Sequence, residues 1–256
     1  MAIKIGVINQ KGGVGKTTTT HSLAAALSEQ YDVLAVDLDA QGSLTDGLGI
    51  DPNALPAGCM EMLLGRYTAE HVLIKTPKFD LIPSNLELSA ADLHLAGRTK
   101  REYLLQRVLK PIEKNYDFVI LDCPPHLGLV TINALAYADL LLIPAKADYY
   151  SLAALRLITR TLTAVIEDDL NPDLRVLGIL PTEYLRTKTL CRDVLKDWRQ
   201  EYGDLVLDTK IRPNVKLAEA PSAAQDIFDY APFSHGAEDY AQLCREVLSR
   251  IEKIQP

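Results

Sequence analysis

The stretch Asn9-Gln10-Lys11-Gly12-Gly13-Val14-Gly15-Lys16-Thr17-Thr18 decides the reading of this chain. It follows an apolar run, Ile3 to Ile8, that reads as a strand, and it opens a helical segment from about Lys16 to Gln30. A strand, a glycine turn and a helix in that order form a cradle for phosphate. Glycines let backbone N–H groups turn inward, and the helix N-terminus adds a field that favours negative charge. Gly12, Gly13, Val14, Gly15, Thr17 and Thr18 would then surround nucleotide phosphates, Lys16 would reach the β and γ groups, and the Thr17 hydroxyl would meet Mg²⁺. The loop departs from the general pattern at Gln10, where a first glycine is usual, and carries a second lysine, Lys11, at the start of its glycine run.

Outward from the loop, short apolar runs alternate with longer helical stretches. Strands are expected at Val33 to Val36, Phe79 to Ile82, Phe118 to Leu121, Leu140 to Ile143 and Val176 to Leu180. Helices are expected near Glu87 to Leu109, Ser151 to Asp169, Leu190 to Tyr202 and Ala237 to Ile254. Strands apolar on both faces require a parallel sheet covered on both sides. The expectation is an α/β fold of the P-loop NTPase type, with a mostly parallel sheet flanked by helices on both faces. Breaks at Ile50 to Gly58 and Asn171 to Asp173 read as loops, so residues 1–256 are taken as a single domain.

Two acidic segments fall at strand ends, Asp37-Leu38-Asp39 and Asp122-Cys123-Pro124-Pro125. Open α/β sheets bind ligands beyond the carboxyl ends of their strands, so both converge on the glycine loop. Asp122 fits the acidic partner of Mg²⁺, acting through a bound water. Taken singly, either aspartate would be a cap or turn residue, and only the combination is specific.

The chain of 256 residues is 48% hydrophobic and 24% charged, which is ordinary globular composition. It shows neither an apolar run long enough for a membrane span nor a secretion signal, so a cytoplasmic protein is expected. Cys59, Cys123, Cys191 and Cys244 are scattered without metal-ligand spacing and read as buried small hydrophobes. A net charge of −7 argues against a globally basic nucleic-acid binder. From Glu183 to Lys216, however, eight Lys/Arg stand against six Asp/Glu, a local +2 that leaves −9 for the remainder.

The chain closely resembles the ParA/Soj family of partition ATPases, within the deviant Walker A group that includes MinD. The resemblance spans nearly the whole sequence. It rests on KGGVGKTT at Lys11 to Thr18, DLDAQG at Asp37 to Gly42, DCPPHLGLVTINAL at Asp122 to Leu135, ADYYSL at Ala147 to Leu152, and NVKLAEAPS at Asn214 to Ser222. It implies an ATPase that converts ATP and water to ADP and phosphate, slowly and under partner stimulation, with Mg²⁺ as cofactor. ATP would join two subunits face to face as a homodimer. Lys11 would contact the partner's phosphates, Gly12 would lie against the opposing subunit, and Asp39 would orient the attacking water. Lys11, Lys16 and Asp39 would thus be catalytic, and Pro213 and Asn214 would flank the adenine. The resemblance also implies nonspecific double-stranded DNA binding through Arg186 and Lys216, a nucleoid-associated location, and a ParB-like or other small adaptor that links the switch to its cargo.

Three segments depart from the family. Its usual Ile-Pro-Arg-Asn reads here Ile211-Arg212-Pro213-Asn214, which could reshape the adenine-side loop. His126 replaces a small residue, as either a surface substitution or a pH-sensitive contact. Asp148 replaces the more usual Glu before Tyr149-Tyr150. The chain also reads as a short form, without a preceding helix-turn-helix. The competing reading is a MinD-like membrane-surface ATPase, which would need a free amphipathic tail. The last helix carries Val247, Leu248, Ile251 and Ile254 among mixed charges, so packing on the domain explains it better and no membrane partner is expected. An iron-protein reading lacks a suitable second cysteine. A regulator that binds without turnover is disfavoured by the presence of both Lys11 and Asp39.

Overall fold

The computed structural model describes residues 2–254. The strands are β1 (Ile3–Val7), β2 (Val33–Asp37), β3 (Ile74–Lys75), β4 (Asp80–Ile82), β5 (Phe118–Asp122), β6 (Leu140–Lys146) and β7 (Arg175–Thr182). They form one seven-stranded sheet in the order β3-β4-β2-β5-β1-β6-β7. All pairings are parallel except β3 with β4. The order reverses at β1, so the loop after β1 lies at the point where a crevice opens above the sheet.

The helices are α1 (Lys16–Leu27), α2 (Ser43–Gly47), α3 (Cys59–Leu63), α4 (Ala69–Val72), α5 (Ala91–Leu95), α6 (Leu104–Glu113), α7 (Leu129–Tyr137), α8 (Ser151–Glu167), α9 (Thr189–Tyr202), α10 (Lys216–Glu219), α11 (Ile227–Tyr230) and α12 (His235–Ile254). Alternation along each strand divides the core into two layers. Leu34, Val36, Val119 and Leu121 face one layer, with Leu105 and Leu109 of α6, α7 and Leu155 of α8. Val33, Ala35, Phe118 and Ile120 face the other, with Leu23 and Leu27 of α1 and Tyr240, Leu243 and Val247 of α12. Both faces are therefore dry, as parallel strands demand.

The expected strands are all present, with β4 beginning one residue late at Asp80 and β7 extended to Thr182. Two expectations fail in detail, and one helix was not foreseen. The first helix ends at Leu27 rather than Gln30, because the N–H groups of Gln30 and Tyr31 both return to the Leu27 carbonyl. The single helix expected over Glu87 to Leu109 is broken into a 3₁₀ turn at Leu86–Ala90, α5, a second 3₁₀ turn at Arg101–Tyr103 and α6. Gly97 and Lys100, the latter at φ +53°, interrupt it. Helix α7 was missed because it is buried almost all round, leaving no polar stripe to mark a period. In α12, Leu243, Val247 and Ile251 are buried against the core, and Leu248 is half-buried. Among the described residues no helix is long and apolar enough to cross a membrane.

Candidate nucleotide site

The glycine loop runs from the end of β1 into α1. Gly13 at φ +67° and Gly15 at φ +90° occupy the left-handed region, which a side chain would strain. Contacts distant in sequence hold the turn. Asn9 donates its side-chain amide to the Pro144 carbonyl at 2.7 Å and accepts the Lys11 N–H at 2.9 Å. Thr182, at the end of β7, donates its hydroxyl to the Val14 carbonyl at 2.9 Å. Thr18 is half-buried in the first turn of α1, and the next residue, Thr19, packs its hydroxyl 3.2 Å from that of Tyr240.

Lys16 is buried at the mouth of this turn. Burial pulls its pKa below the ordinary lysine value, and the carboxylates of Asp122 and then Asp39 partly restore it. The acidic partners come from adjacent strand ends, because the register of β2 on β5 sets Asp37 opposite Asp122. Both are fully buried. Asp37 is satisfied: it accepts the Asp39 N–H at 3.1 Å, the Thr45 N–H at 3.0 Å and the Thr45 hydroxyl at 2.7 Å. Burial nevertheless raises it to about 6. Asp122 is raised further, to about 8, by burial and by the Asp37 carboxylate, against the nearby Thr17 hydroxyl and Lys16.

Oδ1 of Asp122 accepts from the Thr20 hydroxyl at 3.3 Å, while Oδ2 is buried without a hydrogen-bond partner among the described residues. An orphaned carboxylate oxygen beside a threonine hydroxyl is an arrangement that a hard divalent cation satisfies. Among the described residues no three-ligand protein cage exists, and Mg²⁺ characteristically takes one or two carboxylates and draws its remaining oxygens from phosphate and water. The residues fit the ion. Asp39 stands half-buried beside them, its Oδ1 accepting the Gln41 N–H at 3.0 Å.

Lys11 is not directed into its own loop. Its ammonium is ion-paired with Asp148, two residues beyond β6, and both side chains are about one-third exposed. Gly12 is exposed, its φ lies outside the left-handed region, and a Cβ built there would meet nothing within 4 Å among the described residues. Neither backbone strain nor crowding inside this chain demands a glycine at that position.

The remaining sequence-derived positions lie around this centre. Pro213 and Asn214 follow Ile211, whose N–H bonds the Pro181 carbonyl at 2.9 Å, so their loop runs along the end of β7. The exchanged Arg212-Pro213 order has a physical account. The Arg212 N–H donates to Asp239 Oδ2 at 2.9 Å and its guanidinium grips the same carboxylate, contacts that a proline at 212 could not make. Asn214 turns its Oδ1 to the Lys216 N–H at 2.9 Å. Arg186 is exposed in the turn after β7, which the Tyr184 N–H to Ile211 carbonyl bond sets beside the 211–214 loop. Lys216 is engaged by Glu219 at 2.8 Å and sits 5.7 Å from the Tyr230 ring centroid. His126 is exposed in the turn before α7.

Sequence reasoning missed Thr182, Thr45 and the Lys11–Asp148 pair. The Asp37–Thr45 spacing is short enough to have hinted at a turn clasp; the other two span more than a hundred residues and left no local signal.

A family pattern described as an AAA domain matches residues 2–176. The chain is 39% identical to the sporulation initiation inhibitor protein Soj of Bacillus subtilis, over 96% of this chain and 98% of that protein. It is 38% identical to the chromosome partitioning protein ParA of Myxococcus xanthus, over 98% of this chain and 89% of that one. This chain belongs to the ParA/Soj family of partition ATPases. A crystal structure described as cobyrinic acid a,c-diamide synthase from Mycobacterium smegmatis, with bound ADP and magnesium, matches at a TM-score of 0.86 and 38% identity, covering 98% of this chain and 96% of that one. Within the ParA/Soj frame, the glycine loop, Asp39 and Asp122 occupy the one end of the sheet where the fold expects nucleotide chemistry.

Proposed function

We propose that this chain is an ATP-driven dimerising switch that holds DNA without sequence preference in its ATP state and positions a cargo through an adaptor protein. Lys16 and the loop N–H groups bind the triphosphate, and Pro213 and Asn214 lie on the adenine side. Thr17, and Asp122 through a water, hold Mg²⁺. When bound, the metal neutralises charge on the β and γ phosphates. Asp39 orients the attacking water, and Lys11 of each subunit reaches the other's phosphates, a cation supplied in trans to stabilise developing charge. Catalysis of this kind is positioning and electrostatics, which suits a slow intrinsic rate awaiting an adaptor.

The observation that carries the reading is at Gly12. An exposed glycine that no strain or crowding among the described residues requires suits a surface against which a second subunit must close. Lys11 is suitably poised, since a part-exposed ion pair such as that with Asp148 is worth about 0–1 kcal/mol and exchanges readily for phosphate. Lys11→Ala is expected to keep ATP affinity within about threefold and to lose the ATP-dependent dimer on sizing chromatography. A variant that still dimerises with ATP would remove the trans role.

For DNA, Arg186 and Lys188 are exposed and without ion pairs among the described residues, whereas Lys216 must first release Glu219. Arg186→Glu is therefore expected to weaken retention of unrelated duplexes by about tenfold or more, to flatten the salt dependence, and to leave ATP binding unchanged. Loss confined to one sequence would contradict this reading.

A diamide synthase, the reading suggested by the description of the Mycobacterium smegmatis structure, would require an accessible thiolate if its chemistry ran through a cysteine nucleophile. Cys59, Cys123, Cys191 and Cys244 are all buried, and burial raises the thiols of Cys59, Cys123 and Cys244, the last to about 11.

A further inference from the structure

A second concave, charged site lies at the opposite end of the sheet from the glycine loop. Lys4, near the start of β1, and Asp139, just before β6, mark that end. Beside them opens a cleft of about 640 Å³, walled by α6, by the turn that precedes it and by the end of α7. Its lining includes Lys4, Lys100, Tyr103, Arg107, Lys110 and Glu113, with Tyr137 at the back.

The negative groups here are spoken for. Glu113 accepts the Tyr137 hydroxyl at 3.0 Å, and Asp139 accepts from the Lys4 N–H at 2.9 Å and its ammonium at 3.3 Å. Three cations are not. Among the described residues, the side chains of Lys100, Arg107 and Lys110 have neither an ion-pair nor a hydrogen-bond partner, yet all three face one cleft in a chain of net charge −7. Arg107 and Lys110 stand three residues apart on the polar side of α6, whose other side buries Leu105, Leu109 and Ile112. Lys100 is held at φ +53° by the turn whose Tyr103 N–H returns to its carbonyl at 3.0 Å. A non-glycine residue kept in that region is strained, and such strain gathers at ligand clamps.

We propose that this cleft binds a small linear oligophosphate, a molecule with two or more linked phosphate groups. A planar guanidinium and two ammonium groups lining one cleft suit linked phosphates, the arginine in a bidentate fork and the lysines as point charges. The volume is that of a small-molecule site. None of the large exposed apolar side chains lines it, so it lacks the anchor that a protein partner would use. The site is independent of the proposed switch function, and its charges lie away from Arg186 and Lys216.

The test is calorimetric titration of the full chain with sodium tripolyphosphate, in a Lys16→Ala background so that the glycine loop does not compete. Binding of one equivalent is expected, stronger than for orthophosphate. Adding Arg107→Ala and Lys110→Ala, both exposed on α6, should weaken it by at least about tenfold. Binding that survives the double substitution, that is absent in the Lys16→Ala chain, or that orthophosphate matches would overturn the proposal. So would duplex DNA that depends on Arg107 and Lys110 while tripolyphosphate does not bind.

Discussion

Lys16→Ala is expected to lower ATP affinity by about a hundredfold or more, measured by equilibrium binding of a labelled nucleotide. Lys16 is the buried cation of the glycine turn, and its ammonium already lies in the field of Asp122 and Asp39 before any ligand arrives. A charged hydrogen bond to phosphate at such a site is worth more than a surface contact because little water competes for it. The substitution also leaves two carboxylates without their nearby cation. The nucleotide-free variant should therefore melt lower than the parent at pH 8, when charge on Asp122 is unopposed. An unchanged ATP affinity would end the assignment of this lysine to phosphate.

Asp122→Asn should act in opposite directions on stability and on activity. Asp37 is raised to about 6 and Asp122 to about 8, so both hold protons in the folded chain over a range where the unfolded chain has lost them. Folding then takes up protons. The stabilising contribution is complete below the unfolded carboxyl value, near 4, and is lost as pH rises through about 6 for Asp37 and about 8 for Asp122. The nucleotide-free parent is thus penalised at pH 8 for burying charge that awaits a cation. Asparagine carries no charge, so the variant should be flatter in melting temperature between pH 5 and 8, and more stable than the parent at pH 8 by about 2 kcal/mol, or about 5 °C. ATP turnover should fall by about a hundredfold or more through loss of the acidic metal partner. Comparing the two proteins by thermal melts across pH cancels the titration of groups outside the Asp37–Asp122 pair; parallel curves would show that the pair carries no such penalty.

These two sites were legible from sequence for a local reason. The glycines at 13 and 15, the lysine at 16 and the threonine at 17 act through their own backbone and reach, within one strand–turn–helix unit. Asp37 and Asp122 were legible as the last residues of apolar strands, and parallel register then set them side by side. Helix α7 was not legible, although its sequence lies within a family motif, because burial on all sides erases periodicity. Its start is fixed from outside: Asp92 of α5 accepts the Leu129 N–H at 2.7 Å, and Asn133 ties α7 to the Leu105 N–H at 2.9 Å. Those same contacts need the chain between α5 and α6 to bend, which is why one helix over Glu87 to Leu109 could not persist.

The amino-acid sequence alone determined that a phosphate cradle follows the first strand, that the sheet is mostly parallel and covered on both faces, and which aspartates end its strands. Those properties follow from residue type and short-range spacing, where the backbone geometry of glycine and the alternation of apolar positions leave few alternatives. Tertiary structure decided the rest: the clasp of Thr182 on Val14, the turning of Lys11 toward Asp148 and, among the described residues, the missing partner of Asp122 Oδ2 and the three unpaired cations at the far end of the sheet. Each depends on which distant segments are brought within a few ångströms, and on how much water is excluded when they meet, and local sequence holds neither quantity.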